Sequence, residues 1–480
     1  MHQLSGHDAG VLWSDTTHAN ANVSLLHIYD QSTAPDGKVR FKSILAHIAG
    51  RLDRAPMFRQ KLLRVPLDLD RPYWVEDDQF DLEYHVRHIA LPKPGDWRQF
   101  CIQASRIHAR PLDLNRPLWE IYVIEGLDSF LDLPEGSFAL LVKTHLAAVG
   151  VAHVGELTPL LHDTSATPPA PPPPAPWFAE PPPSRMAVTL RGALRTLRSP
   201  SRWSRPVAHV MPSVLGLVRG HLLADAANVT RFNSVVSPHR VFDTRRFLVS
   251  EFDEIRALVP GATLDDAVLA VCGGALRLYL DAQVELPEHS LVANAPRALP
   301  AGSAIHLRDR TWLRVALGTD LADPVQRLAS IQAQTSAPPV PKGRRGRAPV
   351  PPLAHCTLTP LPGPAGPQYL CGARMTYQST ILPIADGMGL VFALTVYDGR
   401  VVLSPTSCRE LMPDPEVFAQ ALRDSFQELL ALARAAATTS ASQAPRSRAP
   451  RPARTATAAP KRAPRPRPPS DKPPRPARPD

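Results

Sequence analysis

Cysteine is scarce and poorly placed for pairing. Five occur in 480 residues, Cys101, Cys272, Cys356, Cys371 and Cys408, and none stands in a Cys-x-x-Cys pair. An odd, scattered set argues against a disulfide framework and against a structural zinc site. No clean run reaches the roughly 18 apolar residues that a membrane-spanning helix needs. The start, from Met1 to Asp8, lacks a basic stretch followed by an apolar core, so no signal peptide is expected. No Gly-x-Gly-x-x-Gly or phosphate-loop pattern occurs, which leaves a nucleotide-binding core without support. Together these absences point to a reducing, cytoplasmic setting in which any membrane contact is peripheral.

Proline, by contrast, is abundant, with 55 residues concentrated in three places. Pro168 to Pro183 reads as a domain boundary, because proline neither continues a helix nor fits a central strand. Pro338 to Pro352, with Lys342, Arg344, Arg345 and Arg347, reads as a loop inside a second domain. The third place is the tail. From Gln443 onward there are eleven Arg or Lys and two Asp, a charge of +9 out of a total of +10. The body is therefore nearly neutral. A basic, Pro-rich tail cannot form a packed core and is expected to be disordered. Two roles stand open for it: a solubilising linker, or contact with anionic lipid. Nucleic acid ranks low as a partner, because no aromatic residues interleave with the arginines.

Before the first boundary the pattern is mixed. Val23 to Tyr29, Trp74 to Asp77, Trp119 to Glu125 and Phe138 to Thr144 read as strands, and Phe41 to Leu52, Asp96 to Ile107 and Ala152 to Leu161 as helices. Met186 to Ala226 carries Arg191, Arg195 and Arg198 beside Leu190, Leu194 and Leu197. That spacing predicts a basic amphipathic helix, either a connector packed on the body or a segment lying on a membrane surface. In the second half, Arg245 to Ser250 and Trp312 to Leu317 read as strands, and Phe252 to Leu258 and Pro324 to Thr335 as helices. Thr263 is a candidate N-cap for an apolar helix over 267–280, with Asp265 and Asp266 in its first turn. Asp398-Gly399 predicts a hairpin between Leu390–Tyr397 and Val401–Leu403. Glu416 to Ala437 reads as a long closing helix.

The segment Ala139 to Gly150 combines an apolar strand with one histidine, His145, delivered to a turn. An imidazole with a pKa near 6.5 suits general-base work. Its bland alternative is a pocket histidine without catalytic use.

Several segments carry a resemblance. They include Leu4-Ser5 to Asp8, Phe58-Arg59-Gln60-Lys61-Leu62, Phe80 to His88, Thr263 to Ala270, Thr319 to Pro324, Pro362-Gly363-Pro364 and Leu382 to Leu390. The most specific is Arg110-Pro111-Leu112-Asp113-Leu114-Asn115-Arg116-Pro117-Leu118-Trp119-Glu120. In these the chain resembles the bacterial wax ester synthase/diacylglycerol acyltransferase family, of the chloramphenicol acetyltransferase-like and condensation-type superfamily. The resemblance implies an α+β fold of α/β two-layer sandwiches. Two pseudo-symmetric chloramphenicol acetyltransferase-like domains would occupy residues 1–167 and 228–437, with a connector over 168–227 and the disordered tail over 438–480. It implies acyl transfer from a fatty acyl-CoA, a co-substrate and not a bound cofactor, to diacylglycerol or a long-chain alcohol. It also implies no metal, and peripheral contact with the inner membrane surface or lipid droplets.

The family's signature is His-His-x-x-x-Asp-Gly, whose second histidine is the base. Aligned on Thr144 to Gly150, His145 matches that base and Gly150 the glycine, while Thr144 replaces the first histidine and Val149 the aspartate. A valine satisfies none of the partners that a turn aspartate has. Two hypotheses follow: an active O-acyltransferase, or an impaired relative that binds lipid, acyl-CoA or a protein. His153, eight residues on, is a candidate to replace the lost polar contact. Arg116 and Trp119 are expected to be structural, Trp119 in the core and Arg116 in a buried or partly buried ion pair. Asp266 is expected as a cap or interdomain contact. Arg297 is left between a substrate contact and a surface ion pair. Phe80 to His88 reads as an exposed strand or loop near a substrate channel, with His85 and His88 lacking a metal partner set.

Overall fold

The structure, a computed structural model, describes residues 1–66, 70–127, 129, 133–134, 136–169, 177–181, 183–184, 186–187, 189–190, 229–297, 312–337 and 354–443. The amphipathic connector from 191, the basic loop at 338–352 and the tail from 444 lie outside the described residues. Residues 1–436 form one compact unit, and 437–480 a second, of which the last turns of the closing helix Pro415–Gln443 are described.

Two large sheets carry the compact unit. In chain order the strands are β1 (His2–Gln3), β2 (Asn22–Asp30), β3 (Gln60–Leu63), β4 (Tyr73–Glu76), β5 (Val86–Ala90), β6 (Trp119–Leu127) and β7 (Ser137–His145). The second half adds β8 (Arg240–Phe242), β9 (Arg245–Leu248), β10 (Val292–Pro296), β11 (Trp312–Ala316), β12 (Cys356–Pro362), β13 (Tyr369–Leu370), β14 (Ala373–Ile381), β15 (Val391–Tyr397) and β16 (Arg400–Cys408). The first sheet runs β13-β14-β2-β7-β6-β5, and the second β11-β10-β12-β15-β16-β8 with β9 also on β16. β1, β4 and β3 make a small separate sheet. The first sheet is thus completed by β13 and β14, which come from beyond residue 360. β14 lies antiparallel to β2, from Arg374 opposite Asp30 to Ile381 opposite Ser24, with an irregularity at Thr376.

Helices form where a cap and an apolar stripe coincide. α1 (Gly6–Trp13) starts at Ser5, whose hydroxyl accepts from the Asp8 amide. α2 spans Phe41–Ala49 and α3 is the single turn Leu82–His85. α4 (Trp97–Ala109) is capped by Asp96 and buries Phe100, Cys101, Ala104 and Ile107 against the outer face of the first sheet, at Leu26, Ile28 and Leu141. α5 (Leu146–Val149) and α6 (Leu157–Leu161) follow β7, and a 3-10 segment, Val151–Glu156, stands where the first part of a helix over 152–161 is expected. In the second half Thr263 and Asp266 cap the helix Leu264–Asp281 reciprocally.

Three prolines of β12 and β16 lie inside strands without breaking the ladder. β12 pairs β10 only at Cys356 and Thr357, so Pro360 and Pro362 lie past the end of that pairing. Pro405 in β16 falls between the pairing with β9, which ends at Leu403, and that with β8, which begins at Thr406. A proline is tolerated wherever no amide is asked for. The hairpin is longer than the expected Val401–Leu403 arm for this reason. Its turn residues, Asp398 and Gly399, take φ of 49° and 69°, the left-handed pair that matches strand twist.

The Leu264–Asp281 helix packs so closely that a Cβ at Gly273 would overlap the Leu317 carbonyl, a backbone atom that cannot swing away. Gly10, on the exposed side of α1, meets nothing within 4 Å. Gly273→Ala is expected to lower stability by about 1–3 kcal/mol, and Gly10→Ala to raise it by about 0.5–1 kcal/mol. Thermal unfolding followed by circular dichroism measures both, and equal melting temperatures for the two variants would contradict the packing argument.

Candidate active site at the His145 turn

β7 is buried along its whole length, with β2 on one side and β6 on the other. It ends at His145, whose amide donates to Leu118 O at 3.1 Å. The chain then turns: the Leu146 amide donates to Ala21 O at 2.9 Å, α5 makes one turn, and Gly150 leaves it with φ of 70°. His145 caps this turn itself, its Nδ1 accepting from the Ala147 amide at 3.1 Å. The other nitrogen, Nε2, lies 2.9 Å from Asp15 Oδ2. An accepting Nδ1 in a neutral ring puts the proton on Nε2, which donates to the carboxylate. Asp15 is held in turn by the Ala21 amide, 2.8 Å from its Oδ1. The imidazole is 1% exposed, the carboxylate 24%. Asp15 was not among the residues singled out in the sequence. Its only signal there is an acid in the link between α1 and β2.

Strand alternation divides the surroundings. Lys143 and His145 share a face of β7 with Asn22 and Ser24, their register partners on β2. This is the face covered by α4. Lys143 is fully buried, donating to Arg110 O and lying 3.6 Å from Glu120. Burial pushes its ammonium down to about 8, against the pull of Glu120. Ser24 Oγ meets His108 Nδ1 of α4 at 2.9 Å. Burial, with Arg240 and Lys143 nearby, holds His108 well below the ordinary histidine range. Thr144 points the opposite way and donates to Leu118 O at 3.0 Å. Val149 and His153 line a cavity of about 290 Å³ with Met57, Trp74 and Glu156.

The remaining expected site residues lie in two other places. Trp119 is in the core as expected, its Nε1 donating to Phe58 O at 3.0 Å and its ring stacked on His85 at 4.4 Å. His85 is buried, not exposed, because its Nδ1 bonds Trp119 O at 2.7 Å and Phe80 covers its other face. His88 is the outer member, stacked on Phe41 and 3.1 Å from Glu125. Arg116 corrects the ion-pair expectation: its guanidinium sits 4.4 Å over the Tyr84 ring and donates to Gln79 O, with no carboxylate paired to it among the described residues. Asp266, beyond its cap, accepts from Thr335 Oγ1 at 2.7 Å. Arg297 donates to Thr335 O and Ala337 O, so it caps the helix Pro324–Ser336 at its negative end. None of these bonds reaches His145.

Residues 4–268 match the wax ester synthase/diacylglycerol acyltransferase catalytic domain, and residues 343–430 match the WS/DGAT C-terminal domain. The chain belongs to the wax ester synthase/diacylglycerol acyltransferase family. A provisionally named diacylglycerol O-acyltransferase of Mycobacterium tuberculosis (strain CDC 1551 / Oshkosh) is 30% identical over 477 residues, 90% of each chain. A second from the same strain is 30% identical over 484 residues, covering 91% of this chain and 99% of the relative. A solved wax ester synthase/diacylglycerol acyltransferase from Marinobacter aquaeolei VT8 shares the fold, with a TM-score of 0.65 at 23% identity over 90% of this chain and all of its own. Family membership makes this an acyl-CoA-dependent O-acyltransferase that consumes acyl-CoA as co-substrate. Among the described residues no group of three or more His, Cys, Asp or Glu is placed to hold a metal ion, and no helix is long and apolar enough to cross a membrane.

A second buried polar group lies on the other face of β2. His162 donates through Nδ1 to Thr158 O at 2.6 Å, and its Nε2 accepts from Tyr29 OH at 2.6 Å. Burial pushes His162 down to about 4. Between pH 6.5 and about 4 the unfolded chain therefore binds the extra proton, so stability is lost as pH falls through that window. The contribution of His162 is about 3 kcal/mol. His27, also buried, acts in the same direction. Denaturant midpoints between pH 7 and 4 should fall steeply, and His162→Gln should flatten the fall. An unchanged slope in that variant would refute the assignment.

Proposed function

We propose that this chain transfers a fatty acyl group from acyl-CoA to the hydroxyl of diacylglycerol or a long-chain alcohol, with His145 as general base. The observation that carries the base assignment is the Asp15–His145 contact at 2.9 Å. A carboxylate on Nε2 leaves the lone pair on Nδ1 and stabilises the imidazolium once Nδ1 gains a proton. In the reaction the acceptor oxygen attacks the thioester carbonyl as its proton passes to Nδ1. The tetrahedral intermediate then expels CoA thiolate, which takes the proton back, so a C–O bond replaces a C–S bond and free CoA leaves. Nδ1 is occupied by the Ala147 amide, so the acceptor must displace that contact. α5 is a single turn, and breaking one neutral hydrogen bond costs about 0.5–1.5 kcal/mol, small against a catalysed barrier. Residues 1–167 and 228–437 act in this reading as two pseudo-symmetric acyltransferase halves. In this reading the enzyme works from the cytoplasmic side and takes its acyl chains at the inner membrane surface or a lipid droplet.

A second reading is favoured by the same imidazole being engaged at both nitrogens. Sliding the signature by one residue puts His145 on the first histidine, Leu146 on the base and Gly150 on the aspartate. His145 is then the anchor of the turn, and another group takes the proton of the acceptor. Purified full-length protein with labelled palmitoyl-CoA and either dioleoylglycerol or hexadecanol separates the two. In the first reading ester forms, His145→Ala lowers kcat by about 10²–10⁴-fold, and Asp15→Asn lowers it less. Turnover by His145→Ala equal to that of the unaltered protein removes His145 as base. In the second reading His145→Ala keeps most of its turnover, and Leu146→His raises it.

A further inference from the structure

A cavity of about 680 Å³ lies between the two halves, on the α4 side of the first sheet. That is within the range of small-ligand sites. One wall is α4, the other β8, β9 and the segment that leads into the closing helix. Its floor is apolar, with Trp97, Ile102 and Phe242. Its charged lining is uneven: six arginines face three carboxylates. The carboxylates are already engaged. Asp243 is 3.3 Å from Arg245, Glu416 is 3.4 Å from Arg98, and Asp96 caps α4. Arg240 is buried and spends its donors on Ser237 O and His18 O. That leaves Arg106, Arg110 and Arg409, all exposed, with no side-chain hydrogen bond or ion pair among the described residues.

Arg106 lies in the last turn of α4 and Arg110 is the residue that ends the helix, and both line the cavity. Three unpaired guanidiniums around an apolar-floored cavity form a site for a ligand with several phosphate oxygens and a flat hydrophobic part. The cavity also adjoins the reaction centre. The Arg110 carbonyl accepts from Asn22 Nδ2 at 2.9 Å and from Lys143, and Asn22 is the register partner of His145.

We propose that this cavity holds the nucleotide end of the acyl-CoA, with Arg106, Arg110 and Arg409 on its phosphates and the base against Trp97, Ile102 and Phe242. The proposal rests on the acyl-CoA reading above but concerns binding alone. The shared chemistry, a phosphate-bearing ligand, also fits an anionic phospholipid headgroup, and the experiment separates the two. Titration calorimetry with the full chain uses CoA, adenosine 3′,5′-bisphosphate and palmitoyl-pantetheine, which has no phosphate. The expected result is that Arg106→Glu/Arg110→Glu weakens CoA and the bisphosphate by about tenfold or more and leaves palmitoyl-pantetheine unchanged. Raised salt should weaken the bisphosphate in the unaltered protein. Arg106→Gln/Arg110→Gln should show a smaller loss in the same direction, which guards against misfolding of the charge-reversed chain. Arg256→Glu, an exposed charge on another helix, should leave both affinities alone. Equal CoA affinity in the double variant and the unaltered protein overturns the proposal. So does loss of binding to phosphatidylglycerol vesicles with CoA affinity kept, which assigns the site to lipid. If no ester is ever formed, these affinities still decide the question.

Discussion

The pairing of β14 with β2 is the constraint on which the rest depends. In the first sheet β2 lies between β14 and β7. Without β14 its outer edge would be unpaired, and an open edge next to a strand that buries nearly every residue would be costly. The partner comes from more than 340 positions away in sequence, so closing the first sheet also docks the second half. Further contacts exist only in that arrangement. His18 meets Asp386 at 3.1 Å, Arg240 donates to His18 O, and Trp97 donates to Asp243 at 2.6 Å. The turn carrying His145 and the arginine-lined cavity both stand beside this junction.

The junction is polar where an apolar one would be more stable. Thr380 on β14, Thr395 on β15, and Ser404 and Thr406 on β16 bury hydroxyls with no hydrogen-bond partner among the described residues. Each costs about 1–3 kcal/mol when left unsatisfied. The apolar clusters to either side must outweigh that. One is continuous from Val23 and Trp119 in the first half to Phe392 and Phe418 in the second. The junction thus buries hydroxyls between apolar clusters in the region where the two halves face each other.

The sequence made elements legible where periodicity and local chemistry agreed. The Asp398-Gly399 turn, the Thr263 cap and the closing helix needed only neighbours in the chain. β14 was not legible, because Gln378, Ser379 and Thr380 are polar yet buried, which erases any alternation. β12 and the second half of β16 were hidden by prolines, whose tolerance depends on which edges of the strand are paired. His85 read as exposed because its cover, Trp119 and Phe80, is assembled from separate segments. At the candidate site His145 was found from the run that delivers it. Asp15 was not, since nothing local says that an acid after α1 will meet a ring 130 residues later.

That missing partner changes what the motif substitutions mean. With valine at 149, the turn has no side-chain carboxylate of its own, and Val149 faces a cavity with His153 and Glu156. The turn is instead held from outside: Ala21 O takes the Leu146 amide, Leu118 O takes the His145 amide, and Asp15 takes the ring. The turn is therefore supported without an aspartate at 149, in part from the α1–β2 link. The same support fixes the imidazole's proton on Nε2, and so fixes Nδ1 as the atom that must accept. For the proposed base, the acceptor must compete with the Ala147 amide for Nδ1, so the freedom of one short helical turn governs the first step.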